Sequence, residues 1–304
     1  MNFATILTPV LMLAAMILFG FIAEKTGYVK NINEKVSMVI LRMTLPCLLL
    51  SSINEKEIDS MRLRGIGLSI LLAFISVLLL LGIAFLTGKL EKMEKATYRT
   101  HVAAGAFGNV AFIGYPVIRA FLGEGDAFLY AVFYGVTNDV LLYTFGIWFL
   151  SGKSNIKKLL NPNTICILLG LVLMLLGLKL PAPVLSTLST VGAATTPLSM
   201  LFIGSVLAGL PLQGFFKSRT IWMNIAVKML ILPILVFLAL RGRVAEAVLS
   251  AVVMQIAMPC QTTLTIVSGE CGGDRAYAAR SVALTTIVCI LSLPLVFYLM
   301  TNVL

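Results

Sequence analysis

Long apolar runs separated by short polar gaps set the pattern of this chain. A membrane-crossing helix needs about 20 mostly apolar residues. Ten runs meet that rule, at about 3–23, 34–53, 65–87, 97–121, 126–150, 162–179, 184–208, 219–240, 244–268 and 277–300. None of the gaps is long enough to hold a soluble domain, and none is of low complexity. The alternating strands of an outer-membrane barrel are absent from the pattern. It predicts an all-α membrane protein of ten transmembrane helices. The first run lacks a basic segment ahead of it and is long for a secretory signal, so Met1–Ala23 reads as the first membrane helix.

Composition narrows the classes. Of 304 residues, 59% are hydrophobic and 12% are charged, about half the share of charge in a soluble domain. The mean hydropathy is +1.01. A soluble chain of this size leaves roughly a quarter of its surface in water and has no place for so much apolar area. That excludes a cytosolic enzyme, a nucleic-acid-binding protein and a secreted disulfide scaffold. The solvent is a bilayer.

The net charge of +10 has its meaning in the gaps, where basic residues meet anionic head groups and fix topology. Counting Lys and Arg by gap gives fourteen in the odd-numbered connectors and seven in the even-numbered ones. The excess predicts odd connectors in the cytoplasm, both termini outside, and a multi-pass protein of the plasma (inner) membrane. The five cysteines are odd in number and lack CxxC spacing. They read as small apolar residues, with no disulfide, metal or cofactor implied.

Ten helices divide into two sets of five, and an odd number per set inverts the second against the first. The expected division is residues 1–150, a short cytoplasmic connector at 151–161, and residues 162–304. Helix-breaking prolines mark matching places in the two sets. The second and seventh runs carry Thr44-Leu45-Pro46 and Thr195-Thr196-Pro197; the fourth and ninth carry Gly114-Tyr115-Pro116 and Ala257-Met258-Pro259. Paired interruptions of this kind point to the binding site of an inverted-repeat transporter.

A proline within a helix removes one donor and clashes with the carbonyl four residues earlier. Those carbonyls belong to Phe112 and Gln255. Freed backbone in a membrane persists only where it lines a polar cavity or finds a partner. The half-helix beyond a break offers a partly positive N-terminus that attracts anions. An ordinary kink explains one proline; two matched pairs favour a site. Asn109 stands seven residues, two turns, before Pro116, and Gln255, Gln261, Thr262 and Thr263 surround Pro259. Neutral amides and hydroxyls suit a carboxylate that must bind and also leave, although any one amide can serve a plain interhelical hydrogen bond. The expected substrate-binding residues are therefore Asn109, Pro116, Gln255, Pro259 and Gln261, with Pro46 and Pro197 as helix breaks.

Charges well inside membrane runs are expensive and read as functional. Asp139 lies near the middle of the fifth run and Lys228 about nine residues into the eighth. Either the two pair structurally, or Asp139 takes part in coupling. Arg42, Glu24 and Arg119 lie where they can snorkel, and His101 is expected at the interface.

At these residues the sequence resembles the auxin efflux carrier family. The resemblance covers nearly the whole chain. Its specific pieces are Gly108-Asn109 through Gly114-Tyr115-Pro116, and Gln255-Ile256-Ala257-Met258-Pro259 with Gln261. Weaker pieces are Leu45-Pro46, Asn161-Pro162, Lys228 to Pro233 and Leu293-Pro294. The resemblance implies two inverted five-helix repeats, a scaffold and a mobile transport domain, with the fourth and ninth helices crossing near their prolines around the substrate. Plant members carry a long loop between the halves; here that connector is Ser151 to Asn161, as in the compact bacterial branch, whose members are assigned to malate, malonate and other small carboxylates.

The expected function is secondary transport of small organic anions by alternating access. The expected partners are that substrate and the bilayer, with a homodimer as a possible assembly and no nucleic acid. There is no GxxxxGK[ST] phosphate loop for direct use of ATP. An intramembrane enzyme would need a nucleophile with its base, or a metal cluster, and the single histidine and absent HExxH oppose it. A receptor or channel would not need matched proline pairs.

Overall fold

A computed structural model describes residues 3–29, 33–152, 156–210 and 218–303. Among them the structure is all helical. The segments are α1 (Phe3–Lys25), α2 (33–54), α3 (Ser60–Leu90), α4 (Lys95–Ala106), α5 (Val110–Leu122), α6 (126–151), α7 (Pro162–Leu175), α8 (Ala182–Gly209), α9 (Arg219–Leu240), α10 (Glu246–Ile256), α11 (Leu264–Glu270) and α12 (275–303). Six described helices are long and apolar enough to cross a membrane, and α5, α7 and α10 are shorter apolar helices.

α3 and α12 begin ahead of their apolar runs, each behind an aspartate that caps it. α3 begins at Ser60 rather than 65 because Asp59 caps it, its Oδ1 accepting from the Arg62 N–H at 2.6 Å. α7 instead stops early, at Leu175. Gly177 takes a φ of 66°, and its N–H and that of Leu178 bond back to the Met174 and Leu173 carbonyls. The left-handed glycine closes the helix.

Prolines inside helices bend this backbone without unwinding it. A π turn at Ile40–Thr44 precedes Pro46, another at Val110–Gly114 precedes Pro116, and a third at Ile225–Ile231 precedes Pro233. In each, the wider turn ends two residues before the proline. A π turn shifts the carbonyls that the ring would otherwise strike, so the helix continues. Pro46 is thus not a helix break, contrary to the expectation from sequence. Before Pro197 the helix is interrupted at Ala194 alone, between 182–193 and 195–209.

Among the described residues two apolar runs unwind, at 107–109 between α4 and α5 and at 257–263 between α10 and α11. Pro259 lies inside the second gap. In the fourth run the gap falls seven or more residues ahead of Pro116, at Phe107-Gly108-Asn109.

α1 packs along α8, and α7 packs along the second half of α2. The first pair is backbone-close: a Cβ on Gly20 would meet the Leu201 carbonyl oxygen at 2.1 Å, and one on Gly204 would meet the Ile17 oxygen at 1.9 Å. Small residues permit such approach between membrane helices. The other large group brings α6 against α3 and α10, and α4 against α3 and α12. Leucines of α1, α3, α7 and α9 remain exposed, among them Leu71, Leu79, Leu168 and Leu235, as an outer surface in lipid requires.

Candidate functional site

The two unwound segments meet at the centre of the bundle. Gly108 and Cys260 form an isolated antiparallel bridge. The Asn109 N–H donates to the Pro259 carbonyl at 2.8 Å, and the Gln261 N–H donates to the Phe107 carbonyl at 3.3 Å. Proline has no N–H but keeps a carbonyl, so Pro259 can accept in this exchange. Backbone groups that leave the helix are in this way partly satisfied by each other, as an apolar surround demands.

Side chains serve the rest. The Asn109 Nδ2 donates to Thr262 Oγ1, and its Oδ1 accepts from the Phe112 N–H at 3.3 Å, capping α5. The Gly108 N–H points to Asn138 Oδ1 at 3.4 Å, and Asn138 Nδ2 donates to Asp139 Oδ1 at 3.4 Å. The Cys260 N–H donates to Thr285 Oγ1 at 3.0 Å. Gln255 is buried; its Nε2 donates to the Ala131 carbonyl at 3.2 Å, while its Oε1 is buried without a hydrogen-bond partner among the described residues. That oxygen lies beside Gly114, where a Cβ would come within 2.4 Å of it.

A cavity of about 680 Å³ opens against this crossing. Ala111, Phe112, Gln261 and Thr263 form its wall on the side of the crossing. Arg42 of α2, Asp139 and Tyr143 of α6, and Lys158 with Asn161 and Asn163 at the start of α7 complete it. Two cations and one carboxylate thus face one space, and among the described residues none of the three is in an ion pair. Among the described residues the Oε1 of Gln261 and the Oδ1 of Asn163 have no hydrogen-bond partner.

The candidates from sequence therefore separate. Asn109, Gln255, Pro259 and Gln261 come together at the crossing, with Gln261 also facing the cavity. Pro116 is buried one turn into α5 and donates nothing. Pro46 and Pro197 lie in α2 and α8 rather than in the unwound segments. Asp139 lines the cavity, whereas Lys228 is buried in α9 with its Nζ on the Ala104 carbonyl at 3.5 Å; no ion pair joins them among the described residues. His101 is fully buried within the protein, its Nδ1 2.8 Å from the Tyr277 hydroxyl and its Nε2 2.9 Å from Thr87 Oγ1. Sequence reasoning missed Lys158, Asn163, Tyr143 and Asn138 as members of the site. Asn161-Pro162 was the signal for the first two, since a capping Asn and a first-turn Pro start α7 there.

All five cysteines are free, with Cys260 and Cys289 buried. No cluster of three metal-ligating side chains occurs among the described residues.

A bundle of apolar helices that meets at two unwound, polar, mutually paired segments is the build of a multi-pass membrane transporter rather than an enzyme. The family model described as membrane transport protein matches residues 5–155 and 146–297. The chain belongs to this family, which includes the auxin efflux carriers that its motifs resemble. It is similar to an uncharacterized transporter of Methanocaldococcus jannaschii, with 28% identity over 207 residues, 64% of this chain and 67% of that protein. It is also similar to an uncharacterized transporter of Methanothermobacter thermautotrophicus, with 24% identity over 304 residues, 94% of this chain and 95% of that protein.

Proposed function

We propose that the protein is a secondary transporter of small organic anions, carboxylates of the size of malate or malonate or auxin-like acids, working by alternating access at the crossing. The observation that carries the reading is the joining of the crossing to a cavity with Arg42 and Lys158 on its walls. Neutral donors at the crossing can hold a carboxylate without the deep affinity of a buried ion pair. Cations on the wall draw the anion in.

In this reading α4 with α5, and α10 with α11, are each one membrane pass, which gives ten passes in two inverted sets of five. The packing of α1 on α8 and of α7 on α2 supports it: the first helix of each set lies on the second helix of the other, as a twofold axis in the membrane plane requires. These four helices are the scaffold, and the crossing with α3, α4, α6, α10 and α12 is the mobile part. Both termini are extracytoplasmic in the plasma membrane. The cavity reaches the start of α7, which follows the cytoplasmic connector, so the conformation is inward-facing.

The test is a thermal-shift screen of the purified protein against a library of carboxylates, with matched amides and alcohols as controls. Stabilisation by a subset of carboxylates and by none of the neutral analogues is expected. Stabilisation by neutral or cationic compounds alone would overturn the assignment of substrate class.

A further inference from the structure

In an unbroken fourth pass the Gly108 N–H would donate to the Ala104 carbonyl, one bond beyond the last one made, from Phe107 to Ala103 at 3.1 Å. The crossing pulls these two groups apart, and each acquires a side-chain partner from a different helix. The donor goes to Asn138 of α6. The acceptor goes to Lys228 of α9, at 3.5 Å and 124 residues away in sequence. The same face of α9 holds the preceding turn: Asn224, four residues before Lys228, donates from Nδ2 to the His101 carbonyl at 3.4 Å. Asn224 Oδ1 would lie 2.8 Å from a Cβ on Gly105, so α9 seats closely on α4.

The two orphans differ in what they need. A helix C-terminus carries a partial negative charge, and α4 ends inside the bundle, with Ala103, Ala104, Ala106 and Phe107 all buried. A cation there favours the break itself. Lys228 is only 2% exposed and forms no ion pair among the described residues, so its ammonium is directed to the helix end rather than to a carboxylate.

We propose that Lys228 is the resident cation of the crossing, a positioning residue that holds the end of α4 open and supplies positive charge beside the anion path without touching the substrate. A broken helix end of this kind elsewhere in the membrane needs either an ion or water. Here the chain carries its own counter-charge, so the crossing needs no bound metal cation to keep its shape. The flux effect rests on the transporter reading of the preceding section; the effect on the shape of the crossing does not.

Lys228→Met and Lys228→Ala, purified and reconstituted, test it. The methionine keeps the stem and removes the charge; the alanine leaves a space that ethylammonium fits and choline does not. Both variants should lower carboxylate flux tenfold or more and lower the melting temperature. Ethylammonium should raise the melting temperature and flux of Lys228→Ala, and choline at equal ionic strength should not. If Lys228→Ala is recovered monodisperse only from extracts that contain ethylammonium, that counts as the same rescue. Lys228→Met with parental melting temperature and flux would overturn the proposal. An impaired Lys228→Ala that responds to neither amine would overturn it too, because the loss would then be one of packing. Should the parent itself move no carboxylate, the melting measurements still decide the role of Lys228 while the flux result counts against the transporter substrate.

Discussion

At the scale of single residues, the crossing depends on amides that each do two jobs. Asn109 caps α5 through its oxygen and reaches Thr262 through its nitrogen. Asn109→Ala removes both and leaves the backbone exchange with Pro259 in place. Loss of one such polar contact costs about 1–3 kcal/mol, roughly 5- to 150-fold in Kd. Titration calorimetry with a stabilising carboxylate should show a loss of that size in a folded variant; unchanged affinity would make Asn109 a purely structural hydrogen bond. Asn138→Ala should act differently. It strands the buried Gly108 N–H, so a lower melting temperature, equivalent to about 1–3 kcal/mol, is expected before any change in affinity. A melting temperature equal to that of the parent would show that Gly108 finds another acceptor. Asn109 was legible in the sequence because it sits beside glycines and ahead of a proline. Asn138 was not, since its partner is 30 residues away and only the fold brings them together.

At the scale of elements, the prolines were legible as signals and misleading as locations. A proline inside a helix removes one donor, and a π turn before it relieves the clash of its ring with the preceding turn. Pro46, Pro116 and Pro233 all take that course. The fourth apolar run unwinds instead at Phe107-Gly108-Asn109, where glycine and asparagine lower helix propensity and where Pro259 and Gln261 of the other segment exchange backbone bonds. No local pattern shows that exchange, because half of it is supplied by residues some 150 positions away. The α1–α8 contact shows the same limit, as its glycines are spaced unremarkably and only the crossing point makes them necessary. Gly204→Ala places a Cβ 1.9 Å from the Ile17 carbonyl oxygen, a backbone atom that cannot turn aside. Overpacking of this kind costs about 1–3 kcal/mol or more. Gly82→Ala in α3 meets nothing within 4 Å and should be neutral or slightly stabilising. Thermal melts of the two variants compare them directly; equal melting temperatures would show that α1 and α8 are not held at this distance.

At the scale of the whole molecule, hydropathy made the all-helical membrane character legible, because a bilayer imposes length and apolarity on every crossing element. The Lys and Arg count adds a direction, which labelling can check. In a chain whose five native cysteines are replaced, Lys157→Cys should be protected from a membrane-impermeant maleimide in intact cells, and Asn302→Cys should react. The reverse result would invert the topology, and equal labelling would overturn the placement of the two sites on opposite sides.

The cavity was the least legible part, since Arg42, Asp139 and Lys158 come from three distant segments and share one space only after folding. Whether that space serves an anion path is decided by flux. Proteoliposomes containing the purified protein should take up radiolabelled malonate, or the best carboxylate from the thermal screen, saturably and faster than protein-free vesicles. Uptake should fall at least tenfold when Asn109 and Gln261 are both replaced by alanine in a folded protein. Uptake no faster than in protein-free vesicles for every stabilising carboxylate, or uptake indifferent to the loss of both amides, would contradict carboxylate transport at the crossing.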